Sequence, residues 1–442
     1  SKGDPVLYVS SPGGVNPRAL RTPEQAATMP CFRLLSLFVA LGPLVPASLP
    51  ALVQAPPACA PDNAGLRLPR DFCAALLDGN AGPVRQLAVA PDGALYAAVS
   101  GHGFGGGVRA YRDRDGDGKP GERASFGPRG GNDVEVHDGH LYLALNDRIV
   151  RWRLTPGKLP PEGREETIGS GLPHEGNHQA KSVVFGGGDT MFVSVGSATN
   201  SCQKSDRHAG SPGVDPCTEL ERHAGIWQFS AATPGQTFAS GRRYSTGMRN
   251  PLATTIQPGT GALYAAIHGR DQLGDNWGFS DERNAENPAE ELVAVGQGDD
   301  FGWPYCYYSV ENTTKVLAPE YGGDGKTVAR CSRAKDPAIA FPAHWAPLAL
   351  AFYPGDRFGE KYGGGLFVAF HGSWNRAPLP QAGYRVVFAP FADGRATGRY
   401  ETFATGAGGP TDLHASGLAV GSDGSLYISA DKNGKIWKVV RR

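Results

Sequence analysis

At 442 residues, with 62 glycines, 36 prolines and 40% apolar residues, the chain is turn-rich and globular rather than low-complexity. Basic and acidic residues number 43 each, so no basic excess exists to grip nucleic acid or an anionic membrane, and nothing demands a charged substrate. One large all-β domain absorbs this length as readily as two or three average ones.

Met29-Pro-Cys-Phe-Arg33 followed by the apolar run 34–42 reads as the basic and apolar regions of a signal peptide over 29–55, with 1–28 upstream of its start. Pro43, Pro46 and Pro50 interrupt that run well short of the ~20 residues a membrane span needs, so no stable membrane insertion is expected. Residues 56–67 read as a linker and 68–442 as the folded domain, in a periplasmic or secreted protein. The cysteines agree with export. Setting aside Cys31 in the leader, the neighbouring pairs 59/73, 202/217 and 306/331 would each close a short loop, although six cysteines allow fifteen connectivities. None of these spacings is the Cys-x-x-Cys that thiolate metal sites usually need.

From 86 onward one pattern returns six times: an apolar strand, a tight turn, and a second strand carrying a bulky residue. The copies lie at 86–96, 133–142, 182–192, 252–264, 348–367 and 417–427. Most are followed by another short strand, at 149–154, 226–229, 384–388 and 436–439, so the unit is an antiparallel meander. Such a sheet cannot bury both faces alone. Radial stacking solves this, and predicts an all-β six-bladed β-propeller of four-stranded blades, with 72–77 as an outer strand closing the ring against the last blade. In that geometry the start of each inner strand and the loop after each second strand converge on one face. His178, Arg249, Asn250, His344 and His414 fall on the first set of positions. Ser197, 268–271, 371–376, Asp431 and Lys432 fall on the second.

Two other segments invite a motif reading. Asp113, Asp115 and Asp117 with Gly118 have the opening spacing of a calcium loop, but position twelve is Ala124 where an EF-hand has Glu, leaving a structural calcium at a hairpin tip or a plain turn. The glycine run at 103–107 lacks the Lys-Ser/Thr and helix of a phosphate loop.

Three clusters between 246 and 308 carry the strongest signal: Gly-Met-Arg-Asn-Pro at 247–251, His-Gly-Arg-Asp-Gln-Leu-Gly-Asp at 268–275 and Asp-Asp-Phe-Gly-Trp-Pro-Tyr at 299–305. In this order and spacing they resemble the soluble quinoprotein glucose/sorbosone dehydrogenases, specifically the sorbosone dehydrogenase-like branch, over roughly 68–440. The resemblance implies oxidation of a sugar, sugar-derived aldehyde or alcohol by hydride transfer to calcium-bound pyrroloquinoline quinone, with electrons leaving to a carrier such as a cytochrome or a quinone.

Removing hydride from an alcohol carbon needs a base for the hydroxyl proton, and an imidazole of unperturbed pKa about 6.5 is suited to it. His178, at the start of the third blade, matches the family's catalytic histidine; His174 is its internal competitor. Arg249 matches the arginine that stabilises charge growing on the quinone, and Asn250 the asparagine beside it. The resemblance places calcium on the carbonyls of Gly269 and Arg270 with Asp271 as an additional ligand, Asp275 being an exposed acid or a further one. Trp374 and Arg376, in the 370–376 cluster, are expected against the cofactor, as is an aromatic wall from Trp303, Tyr305, Tyr307 and Tyr308. Two family positions differ. The aspartate that supports the catalytic histidine falls at Ser197, and the paired arginines that open the last blade appear as 413–416. His414, Lys432, Arg270 or Arg376 then has to hold the cofactor's carboxylates. A propeller that binds sugar or protein without redox chemistry, or a calcium-dependent lactonase, are the alternative readings.

Overall fold

Apolar strands of four to six residues, broken by Asp-Gly and Asn-Gly type turns, pair with their sequence neighbours and leave both sheet faces greasy, so the sheets bury themselves against one another. The computed structural model describes residues 59–101, 107–115 and 118–442. The expected signal peptide at 29–55, the segment before it, and most of the glycine run at 103–107 lie outside those residues.

Six sheets form the propeller, antiparallel throughout except for one edge pairing in blade 2. Blade 1 is Val84–Val89, Leu95–Val99, Val108–Arg112 and Glu122–Phe126, and blade 3 is Val183–Phe185, Thr190–Val195, Gly225–Ser230 and Arg242–Thr246. Blade 4 consists of Ala253–Ile256, Leu263–Ile267, Glu290–Val295 and Ile339–Phe341. Blades 2 and 5 each gain a fifth edge strand, Gln236–Thr237 and Leu66–Arg67 respectively. Blade 6 is closed by Phe72–Asp78, which pairs antiparallel with Lys435–Arg441, as the sequence leads one to expect. The expected linker is partly structure. Leu66 and Arg67 pair with Gly406 and Thr405, and Cys59 is bonded to Cys73.

The core lies between blades. Between blades 5 and 6, Phe72, Phe358, Phe367, Phe388 and Phe403 form one buried cluster with Tyr353 and Tyr362. The other two disulfides are Cys202–Cys217 and Cys306–Cys331, each closing a short loop. Asp113 accepts the Gly118 N–H through Oδ2 at 2.9 Å, closing that acidic loop as a turn; Gly116 and Asp117 lie outside the described residues.

Three innermost strands begin with a register shift, between Val84 and Gln86, between Pro347 and Ala349, and between Ala415 and Gly417. A bulge leaves one residue unpaired and re-aims its side chain. The residues left unpaired are Arg85, Leu348 and Ser416, and the first two line the cavity described next.

Candidate functional site

A cavity of about 390 Å³ opens where strand starts and loops from blades 1, 3, 4 and 5 converge. Its polar wall includes Arg85, His178, Arg207, Arg249, His268, Asp271, Glu290, His344, His371 and Asn375.

His178 stands between its own blade and the next. Its Nδ1 is 2.8 Å from the Ser197 carbonyl and 3.0 Å from the Ser197 hydroxyl. A carbonyl only accepts, and the hydroxyl already donates to the Thr199 carbonyl at 2.6 Å. Nδ1 therefore carries the proton and Nε2 is left as the acceptor of a neutral ring. Burial first, and the Arg249 guanidinium second, hold its pKa well below the usual imidazole range. Ser197 thus orients the imidazole through its backbone, which any residue would supply at this position, rather than as a carboxylate would. The same residue donates its N–H to the Arg249 carbonyl at 2.7 Å, so ring and guanidinium are set from one peptide.

Arg249 is fully engaged. It donates to the Gly269 carbonyl at 2.7 Å, to Asn200 through Nε and one terminal nitrogen, and to Asp271 Oδ2 at 2.9 Å. Asp271 also takes Arg207 at 3.2 Å and the Asn375 amide at 2.7 Å. Burial opposes its charge, but Arg249, His344 and Arg207 outweigh it and hold the carboxyl at about 2. Glu290 accepts the Gly269 and Ala346 N–H groups at 2.9 and 3.1 Å, yet burial pushes it up to about 8.

Several expected residues stand elsewhere. Arg270 turns from the cavity into a buried ion pair with Glu320, because the strand-end loop puts consecutive residues on opposite sides. Arg376 is consumed by the Ala285 and Pro380 carbonyls and the Glu286 carboxylate. Asn250 lies behind His268, its Nδ2 3.0 Å from the ring's Nδ1. His414 packs behind His371, ring centroids 4.6 Å apart, and Lys432 is an exposed residue that does not line the cavity. The aromatic wall is packing instead: Trp303 donates to the Asn200 carbonyl, and the Tyr305 hydroxyl accepts the Cys217 N–H. Trp374 does reach the cavity, with 72% of its surface exposed. His174 is exposed and bonded to the Leu172 carbonyl, away from the cavity.

Sequence reasoning missed Arg85, Arg207 and Glu290. Arg85 is aimed inward by a bulge, and Arg207 comes from the disulfide-closed loop inserted between the second and third strands of blade 3. Only the position of Glu290, two residues after Asn287-Pro288 at the head of a third strand, could have drawn attention to it.

With this geometry in hand, comparison with known proteins is decisive at the family level, since the TrAA12-like family model matches residues 128–442. The chain belongs to the TrAA12-like family. A pyrroloquinoline quinone-dependent pyranose dehydrogenase of Coprinopsis cinerea is 30% identical over 193 residues, covering 36% of this chain and 26% of that protein. The matches span less than half the length of the curated relatives. Among solved structures, the holo form of the pyranose dehydrogenase PQQ domain from Coprinopsis cinerea superposes with TM-score 0.69 at 20% identity, covering 88% of this chain and 98% of that one. The calcium structure of Trichoderma reesei Carbohydrate-Active Enzymes Family AA12 gives TM-score 0.71 at 19% identity, covering 88% and 99%. At these identities the likeness is one of fold: the TrAA12-like propeller is shared.

Proposed function

We propose that this chain is an exported oxidoreductase that oxidises a sugar, or a sugar-derived aldehyde or alcohol of the sorbosone type, using pyrroloquinoline quinone and calcium. One observation carries the reading: a neutral His178 with its Nε2 free lines the same cavity as the guanidiniums of Arg85, Arg207 and Arg249. The quinone's three carboxylates need cations. These three arginines are offset by Asp271, Asp431 and, at 3.9 Å, Asp206, while burial opposes the charge of Glu290. Calcium prefers hard oxygens. The Asp271 carboxylate, the Gly269 carbonyl and Asn375 Oδ1, which is buried without a partner, form such a set. Among the described residues no three His, Cys, Asp or Glu side chains cluster, so a cation here draws on carbonyl and amide oxygens as well.

When bound, the quinone supplies a two-electron acceptor and calcium polarises it. The protein's own contribution is proton handling and charge. His178 takes the substrate hydroxyl proton at Nε2, and the Ser197 carbonyl keeps the opposite nitrogen protonated so that the acceptor stays aimed. Arg249, fixed by four acceptors, places positive charge in the cavity without reorganising. The exposed Trp374 indole offers a flat apolar surface for a cofactor or sugar ring. Export is supported by the three disulfides, and among the described residues no helix is long and apolar enough to cross a membrane. Electrons leave to a cytochrome or quinone carrier.

Titrating the mature protein with pyrroloquinoline quinone, with and without calcium, tests this through the cofactor's absorption. Calcium-dependent binding that bleaches on adding an aldose or sugar alcohol is the expected result. Absence of binding at micromolar cofactor overturns the reading and leaves a sugar- or protein-binding propeller, or a lactonase, to be examined.

A further inference from the structure

Four histidines line the cavity among the described residues, and their hydrogen bonds divide them into two kinds. His268 is tied at both nitrogens, Nε2 to the Pro347 carbonyl at 2.7 Å and Nδ1 to Asn250 at 3.0 Å. His344 is likewise tied, Nε2 to the Asn284 carbonyl at 2.7 Å and Nδ1 to Asn375 at 3.3 Å. Neither has a site left for an incoming proton. His178 and His371 each keep one nitrogen free of protein partners. For His371 the occupied one is Nε2, 2.8 Å from Asp431 Oδ1, and Asp431 Oδ2 is itself fixed by Arg85 at 2.6 Å. A carboxylate on one ring nitrogen orients the imidazole and stabilises the charge it gains on accepting a proton at the other. The dyad that the family pattern places on the first base is here built on a different histidine, in blades 5 and 6.

The chemistry has use for two bases. Oxidising a carbinol to its carbonyl compound yields two electrons and two protons. The hydroxyl proton goes to His178, and the carbinol hydrogen leaves with its electron pair to the quinone acceptor. When one-electron carriers withdraw that pair, the same hydrogen remains as a proton and needs an acceptor of its own.

Resting on the function proposed above, we propose that His371, positioned by Asp431, is a second proton acceptor of this cavity, serving re-oxidation by the electron carrier while His178 serves oxidation of the sugar. The groups around His371 are Asp431 and Arg85 in front, His414 behind with Lys432 near it, and Asp271, Glu290 and His344 along the cavity wall.

Two measurements test it. In the unloaded protein, carbethoxylation mapped by mass spectrometry should modify His178 and His371 and spare His268 and His344, with bound cofactor protecting the reactive pair; a His371 as inert as His268 overturns the proposal. In the loaded protein, rapid mixing separates reduction by sugar from re-oxidation by a one-electron acceptor. Asp431→Asn should slow re-oxidation about tenfold more than it slows reduction and change the pH profile of re-oxidation alone. His371→Gln repeats the measurement should Asp431→Asn fold poorly. Equal slowing of both halves, or slowing that follows weaker cofactor binding, marks Asp431 as merely structural and overturns the proposal. Absence of reduction by any sugar in the unsubstituted protein is a different failure, that of the oxidoreductase reading, and the carbethoxylation pattern is unaffected by it.

Discussion

In the proposed role of base, His178 needs a neutral ring, and the environment decides how far down in pH that holds. Burial and Arg249 both disfavour the imidazolium, so the folded-state pKa lies below the ordinary imidazole value and the proton binds only as pH falls through that lowered value. The acid limb of kcat/KM should therefore sit below pH 6.5, with activity level across neutrality; a limb centred at or above 6.5 would assign the titration to another group. His178→Gln should cost ~10²–10⁴ in kcat, the usual range for a positioned base, and leave cofactor affinity within about twofold in an absorption titration. Asp271 tests the opposite wall. It joins Arg249, Arg207 and Asn375, and its side chain is 13% exposed. Asp271→Asn leaves two guanidiniums without their carboxylate, and breaking a buried pair this way costs about 3–5 kcal/mol, measurable as a lower denaturation midpoint at an unchanged denaturant slope.

At the scale of elements, the positions of strand ends matter more than the strands themselves. Gly196 directly follows the second strand of blade 3, and a Cβ built there would lie 2.5 Å from His178 Cβ and 2.8 Å from the His178 carbonyl oxygen. Glycine is required for the approach of two chain segments, independent of any turn. Gly196→Ala should displace His178 from the Ser197 carbonyl, reducing turnover by an amount comparable to losing the base while far-ultraviolet circular dichroism stays unchanged. A fully active Gly196→Ala protein would show that the segment yields without moving the ring. The strands were readable in advance, because alternating apolar residues with turn signals recur six times and a four-stranded sheet has few ways to bury both faces. The propeller, the outer strand expected at 72–77 and the placing of His178 and Arg249 on one face follow from that periodicity or from the motif around it, and the three disulfides join the cysteines that are neighbours in sequence. Side-chain direction at irregular backbone was not readable. Arg85 and Leu348 point inward because of bulges, and a bulge is a pairing event with no residue signature of its own. Arg270 and Arg376 are held by other partners for the converse reason: Glu320, on the single turn Pro319–Tyr321, and Glu286, at the end of the short helix Asp281–Glu286, come from segments whose approach no local pattern encodes.

The whole ring is held shut by one strand taken from the far end of the chain. Phe72–Asp78 supplies the outer edge of blade 6, and its first residue lies opposite Arg441. Phe72 meets Phe358, Phe403 and Tyr362 edge-on at 4.8, 5.1 and 5.3 Å, so the closing strand also anchors the core between blades 5 and 6. Nearly the entire chain is thus a loop that must close before this strand's contacts offset its ordering entropy. The geometry offers a way to make this pairing local, because the Arg442 N–H donates to the Asp71 carbonyl at 2.8 Å and the two strands run antiparallel. A short turn from Arg442 into Asp71 would make them a hairpin, and a permutant beginning at Gly79 and ending at Asp78 would keep every pairing of blade 6 while losing the Leu66–Arg67 edge strand of blade 5. The packing of blade 6 on blade 1 then has to close a loop of similar length, so the entropy of closing the ring is moved rather than removed. Losing Cys59 and its bridge to Cys73, with Cys73 replaced by serine, costs about 3 kcal/mol for a loop of this size. The permutant should therefore be less stable than the parent by about 3 kcal/mol or more, while the folding rate rises because the slowest strand pairing has become local. Denaturant unfolding would read the first and stopped-flow refolding the second. A permutant that folds no faster would place the rate-limiting closure between other blades, away from the seam.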